Sequence, residues 1–157
     1  LLLCLESTIF LENPNLFNLR HFIEIFADPS IVFMALSSDD GIQGWWSLDV
    51  KIPKTQDGQI YVNFSEQYKN VLKIEHAEKH EVSWLVEEGD PEWVGTRIRF
   101  KIEASDSMVT LRFSHENWQE ETDFYTACNL QWAHYLLSLK NYCEVGKGKP
   151  YGRKTSS

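Results

Sequence analysis

Residues 118–150 read WQEETDFYTACNLQWAHYLLSLKNYCEVGKGKP, and they hold the one long stretch of the chain that reads as an uninterrupted helix. At 3.6 residues per turn, Phe124, Cys128, Trp132, Tyr135, Leu139 and Tyr142 fall along one side, with Tyr125, Leu136 and Cys143 at its edge. So broad and aromatic a stripe has to lie on an apolar surface. Gly146 and Gly148 lower helix propensity and Pro150 forbids continuation, so the helix is expected to stop there.

Upstream the period changes from 3.6 to two. Leu48, Val50 and Ile52 alternate with Asp49 and Lys51, and after the Asp57-Gly58 turn come Ile60, Val62 and Phe64. Leu72 and Ile74 share the parity of His76, and a hairpin through Ala77-Glu78-Lys79 leads to Val82, Trp84 and Val86. A turn-rich loop from Glu88 to Gly95 precedes Ile98, Phe100 and Ile102, which alternate with Arg97, Arg99, Lys101 and Glu103. The final strand sets Val109, Leu111, Phe113 and His115 on its inward parity. Before all of these, Arg20–Ala27 is apolar on both sides, with Ile23 and Ile25 on one and Phe22 and Phe26 on the other, which predicts a buried first strand. Asp28-Pro29 caps a short helix to about Leu36, and Ser38-Asp39-Asp40 starts a second that ends at Trp45-Trp46. The expected order is one strand, two short helices, six antiparallel strands and one long helix.

Composition bounds the rest. A chain of 157 residues, 43% hydrophobic and 13% aromatic, builds one domain with a sizeable core. We expect that domain over residues 20–150, an N-terminal extension of uncertain order over 1–19, and a flexible tail over 151–157. The apolar opening, broken by Glu6 and lacking a basic n-region, is expected to be an extension or an artefact of the assigned start, with a truncated signal peptide as the alternative. A formal net charge of −8 opposes nonspecific attraction to nucleic acid or anionic lipid, and the basic tail Lys147, Lys149, Arg153 and Lys154 is short and interrupted by glycines. No apolar run approaches the ~20 residues a membrane span needs. Cys128 and Cys143 would lie about 22 Å apart on one helix and cannot pair. With no zinc-type spacing present, we expect a reducing cytoplasmic compartment and no cofactor or metal.

The element order resembles the helix-grip fold of the SRPBCC superfamily, which includes START lipid-binding domains and the birch pollen allergen family. Asp28-Pro29, Val32-Phe33, Ala35-Leu36 and Gly44-Trp45-Trp46 are similar to that superfamily's opening pattern. The ending Trp132, Tyr135-Leu136, Ser138-Leu139-Lys140, Tyr142, Glu144, Gly146-Lys147-Gly148 and Pro150 resembles the branch related to the activator of the Hsp90 ATPase. The resemblance covers about Arg20 to Pro150. It implies an α+β fold: a seven-stranded curved antiparallel sheet, in the order β-α-α-β6-α, wrapped around the C-terminal helix, often with an apolar cavity between them. It implies no single activity, because the superfamily spans carriers, cyclases, aromatase-like enzymes and co-chaperone domains.

Convergence of the inward parities on the helix stripe predicts a lining of Val62, Phe64, Leu72, Ile74, Val82, Trp84, Phe100, Val109, Leu111, Phe113, Trp132, Tyr135 and Leu139, with Tyr142 and His115 beside Tyr135 as polar groups. The same residues describe a filled core equally well. His115 at a cavity mouth would titrate near neutrality and is the place to look for acid/base chemistry, against the plainer role of a hydrogen-bonded strand-end histidine. Ser114 should face the other way, and no nucleophile elbow occurs. His76 and His80 flank a hairpin, so their spacing reads as a solvated turn rather than a metal pair. One indole of Trp45-Trp46 is expected to plug the open end of the sheet while the other covers the surface. The far side of the helix carries Leu130, Ala133 and Leu137, where a partner is expected: a second copy, or the apolar leader folded back. Binding of a small hydrophobic or amphipathic molecule is the leading expectation. A co-chaperone-like protein-interaction domain comes second and a cyclase- or hydrolase-like enzyme third.

Overall fold

A computed structural model describes residues 15–54 and 57–152 of the chain. Among these, seven strands and three helices follow in the order β1 (Phe17–Ile25), α1 (Pro29–Ser37), α2 (Asp39–Gln43), β2 (Val50–Lys51), β3 (Gln59–Asn63), β4 (Lys69–Glu78), β5 (Glu81–Glu88), β6 (Arg97–Ser105), β7 (Met108–Trp118) and α3 (Asp123–Val145). All seven strands form one antiparallel sheet in the order β1-β7-β6-β5-β4-β3-β2. Short connections pair each of β2 to β6 with its successor. The strand before the helices returns to pair with the last one, so α1 and α2 carry the chain from one edge of the sheet to the other. This is the helix-grip architecture, with α3 laid against the sheet.

Local signals set most boundaries. The Asp28 carboxylate accepts from Ser30 N at 2.8 Å with Pro29 in the first turn, and the Ser38 hydroxyl accepts from Gly41 N at 3.0 Å. Thr122 caps α3 by accepting from Tyr125 N at 3.1 Å, and Gly146 ends it in the left-handed region at φ 78°. Gly148 has a different reason: a Cβ there would lie 2.2 Å from Gly44 O, so the chain leaving α3 passes directly over the turn after α2.

Several expectations are corrected. β1 starts at Phe17, three residues before Arg20, and is an edge strand rather than a buried one: Phe22 is 58% exposed and Phe26 62%. Their rings are covered by cations instead of core, with Arg112 over Phe22 and Lys140 over Phe26. β2 shrinks to two residues. The β4–β5 hairpin turns at Lys79-His80, and a bulge between Ile74 and His76 ends the inward parity, leaving His76 exposed. Trp45 and Trp46 are both fully buried, so neither covers the surface. Tyr151, expected in a flexible tail, donates its N–H to Trp46 O at 2.8 Å and accepts from Leu48 N at 2.9 Å. Residues 1–14 and 153–157 lie outside the described residues, and with them most of the predicted extension and tail.

The C-terminal end of β1's free edge is covered by α3. Lys140 Nζ donates to Glu24 O, Phe26 N donates to Glu144 Oε1 at 3.0 Å, and the two side chains pair with each other one turn apart. An edge strand with open backbone groups invites pairing with another chain, and these contacts occupy one such group of β1 and the first N–H beyond its end. On the outer face of the sheet, Arg97 pairs with Glu75, Arg99 with Glu81 and Glu116, and Arg112 with Glu103, so the polar parity of the strands is matched charge to charge.

Candidate functional site

The predicted lining separates into two groups. Val62, Leu72, Val82, Trp84, Phe100, Val109, Leu111, Phe113 and Leu139 are buried in one continuous core, and Ile74 and Tyr142 pack half-buried against it. The space between sheet and helix is filled there by the tryptophan pair. Trp46 stacks on Trp84 at 5.5 Å and on Trp132 at 5.2 Å, while Trp45 meets Phe100 edge-on at 6.1 Å. Only Phe64, Trp132 and Tyr135 of the predicted residues line the pocket that remains.

That pocket has a volume of about 270 Å³ and is open on one side. It sits between the first four turns of α3 (Phe124, Cys128, Gln131, Trp132, Tyr135), the β3–β4 connection (Phe64, Ser65, Gln67, Tyr68) with Asn70 at the start of β4, and the β5–β6 loop (Asp90, Trp93), with buried Trp46 completing it. Phe124, Cys128 and Trp132 recur at four-residue spacing and stand on the predicted stripe, so their position was legible. The β5–β6 loop was not. Asp90 O accepts from Trp93 N at 2.9 Å and Asp90 Oδ1 from Glu92 N at 2.9 Å, a local turn that folds the Trp93 indole inward until it is nearly buried. A tryptophan in a loop of turn-forming residues was the available signal, because a large apolar ring seldom stays in solvent. Thr122 Oγ1 donates to Glu92 Oε2 at 2.6 Å and so ties this loop to the start of α3.

His115 is fully buried behind the pocket, not at its mouth. It lies in ring contact with Trp93, Trp118 and Trp132. Both ring nitrogens are engaged: Trp132 Nε1 donates to Nδ1 at 3.0 Å, and Nε2 lies 2.7 Å from Thr96 Oγ1. Burial without a charged partner lowers its pKa to about 3, so the imidazole is neutral at physiological pH and does not titrate near neutrality as expected. Ser114 points to the opposite face, where its hydroxyl donates to Glu116 Oε1 at 2.8 Å.

Burial raises the Cys128 thiol to about 11, with the Asp90 and Glu92 carboxylates adding to the effect and the Trp93 indole opposing it. Burial likewise lifts the Tyr135 phenol. Cys128 and Cys143 are free and buried. Among the described residues no three His, Cys, Asp or Glu side chains stand together as a metal site, and His80 only pairs with Glu78 at 3.4 Å on the exposed hairpin. No helix among them is long and apolar enough to cross a membrane. On the outward side of α3, Leu130 is 76% exposed and Leu137 61%, with Ala133 half-buried between them.

Residues 27–144 match the family model of the activator of Hsp90 ATPase homolog 1-like proteins. The chain is similar to the Aha1 dimer from Colwellia psychrerythraea, solved in solution, at 36% identity over 84% of this chain and 99% of that one, with a TM-score of 0.75. A protein of Staphylococcus saprophyticus (17% identity, 85% of this chain and 97% of that one, TM-score 0.67) shares the fold. So does a conserved protein of unknown function from Enterococcus faecalis (17% identity, 90% and 79%, TM-score 0.70). No protein with a curated description matches in sequence.

Proposed function

Because the chain belongs to the activator of Hsp90 ATPase homolog 1-like family, whose fold serves as a ligand-binding or interaction domain, we propose that it binds a small apolar or amphipathic molecule in the pocket at the N-terminal half of α3. The observation that carries this reading is the lining itself. Phe64, Trp93, Trp132 and Tyr135 enclose about 270 Å³ beside the amides of Gln67, Asn70 and Gln131. Apolar walls with a few polar groups are what a small-molecule site requires, and burial of the ligand's apolar surface at ~25 cal/mol per Å² would drive uptake. The pocket is smaller and nearer the surface than the full helix–sheet cavity expected from sequence. Native mass spectrometry of gently purified protein, followed by denaturing extraction, tests it: a stoichiometric small molecule supports the reading, and failure to bind any apolar probe in titrations counts against it. A reducing cytoplasmic setting fits the two buried free thiols.

A second reading rests on the outward side of α3. Leu130 and Leu137 stand seven residues apart, two turns along one face, and both are exposed. The Colwellia psychrerythraea protein was solved as a dimer. We propose that this face pairs two copies of the chain, which is also the form in which the interaction-domain alternative finds support. Sedimentation equilibrium tests it directly.

A further inference from the structure

The pocket carries charge of one sign. Among the described residues that line it, Asp90 is the single ionised side chain, and no Lys, Arg or His joins it. Asp90 Oδ1 accepts from Glu92 N at 2.9 Å, and no cation pairs with the carboxylate among the described residues. A carboxylate offers about four acceptor positions, so most of its capacity is unused. The walls beside it are aromatic: Trp93 and Trp132 stand nearly parallel at 6.4 Å, and Phe64 and Tyr135 meet at 6.1 Å. The same field reaches Cys128: beside burial, which raises its thiol, and the Trp93 indole, which lowers it, the Asp90 and Glu92 charges both act upward.

Ligand charge therefore decides what fits. A carboxylate or phosphate headgroup would enter a space that already holds a negative charge and offers no cation. An uncharged ligand gains apolar burial and neutral hydrogen bonds only. An organic cation gains burial and the Asp90 carboxylate together. Size narrows the class further, since a dry cavity of roughly 150 Å³ accepts one benzene, and about 270 Å³ admits a body of about two fused rings.

We propose that this pocket is a site for organic cations, an ammonium group on a compact aromatic or apolar body, with Asp90 as the counter-ion. The assignment rests on the pocket-binding reading above and adds the charge of the ligand to it.

Calorimetric titration of the full chain with three probes that share one body separates the two claims: naphthylmethylammonium, uncharged naphthylmethanol and anionic naphthoate, each with wild type and with Asp90→Asn. Asparagine keeps an Oδ1 that can accept from Glu92 N, so the turn and the thermal midpoint should persist. The ammonium should bind about tenfold more tightly than the alcohol, naphthoate should bind most weakly, and Asp90→Asn should remove the ammonium's advantage while leaving the alcohol unchanged. Equal binding of ammonium and alcohol, or an advantage that survives Asp90→Asn, overturns the cation assignment and leaves the pocket standing. Absence of binding by all three overturns the pocket reading itself. Should Asp90→Asn fail to fold, Asp90→Ser, whose hydroxyl can also accept from Glu92 N, gives the same discrimination.

Discussion

The indole Nε1 of Trp132 donates to Nδ1 of His115 at 3.0 Å, across the interface between α3 and β7. An indole nitrogen can only donate, so Nδ1 must carry the lone pair and Nε2 the proton. That proton goes to Thr96 Oγ1 at 2.7 Å, and the threonine in turn donates to Trp93 O at 2.5 Å. The helix, the last strand and the β5–β6 loop are thus joined through one neutral imidazole, and the loop that shapes the pocket hangs on the same chain of bonds.

Acid should expose this arrangement. The folded His115 pKa is about 3, against 6.5 for a free imidazole. Below pH 6.5 the unfolded chain takes up a proton that the native state refuses, so stability falls as pH drops from 6.5 toward 3. The limiting slope from this group is about 1.4 kcal/mol per pH unit. Urea unfolding across that window should show the slope in wild type and lose it in His115→Gln, which can still accept from Trp132 and donate to Thr96. An unchanged slope in the variant would assign the acid sensitivity elsewhere.

Trp132→Phe removes the donor and leaves the buried Nδ1 of His115 unpaired. We expect a loss of ~2–4 kcal/mol from the orphaned acceptor and the vacated volume together. It should also raise the His115 pKa, because the imidazolium is no longer opposed by an incoming N–H. NMR titration of the His115 ring protons checks the second effect, and a stability loss without any pKa change would deny the coupling.

Filling the pocket from its mouth should separate binding from folding. Gln131 is an exposed side chain of the lining, so Gln131→Trp is predicted to cut uptake of apolar probes at least tenfold with the thermal midpoint nearly unchanged. Leu111 and Leu139, fully buried in the core, behave otherwise. Enlarging either to Phe should cost ~1–3 kcal/mol by overpacking, with ligand affinity preserved in the folded fraction.

The dimer reading gives an equally direct outcome. Leu130→Lys with Leu137→Lys places two charges on the outward face of α3, and sedimentation equilibrium should shift from dimer toward monomer while the helical content by circular dichroism stays the same. Wild type that sediments as a monomer at all accessible concentrations ends that reading.

At the edge of the sheet, Glu144→Ala removes the acceptor of Phe26 N and the partner of Lys140. The contact is partly solvated, so the expected loss is only ~1 kcal/mol. The more telling readout is faster amide hydrogen exchange at Phe26, confined to that end of β1.

Periodicity alone was enough for the class and order of the elements. A strand alternates every second residue and a helix every 3.6, and these rules depend only on neighbours along the chain, so the Arg97–Ile102 and Trp132–Leu139 patterns could be read directly. Which inward residues border empty space is a different kind of question, since it depends on how much volume the facing side chains occupy. Trp46 lies far from Trp84 and Trp132 in sequence, yet its stacking between them turns most of the predicted lining into filled core. Trp93 enters the pocket because its loop folds inward, and His115 loses its titration because three indoles surround it. The sequence determined the helix-grip architecture; the tertiary structure decided where the pocket remains, what charge it holds and that its nearest histidine is neutral, because packing and burial are properties of neighbours in space.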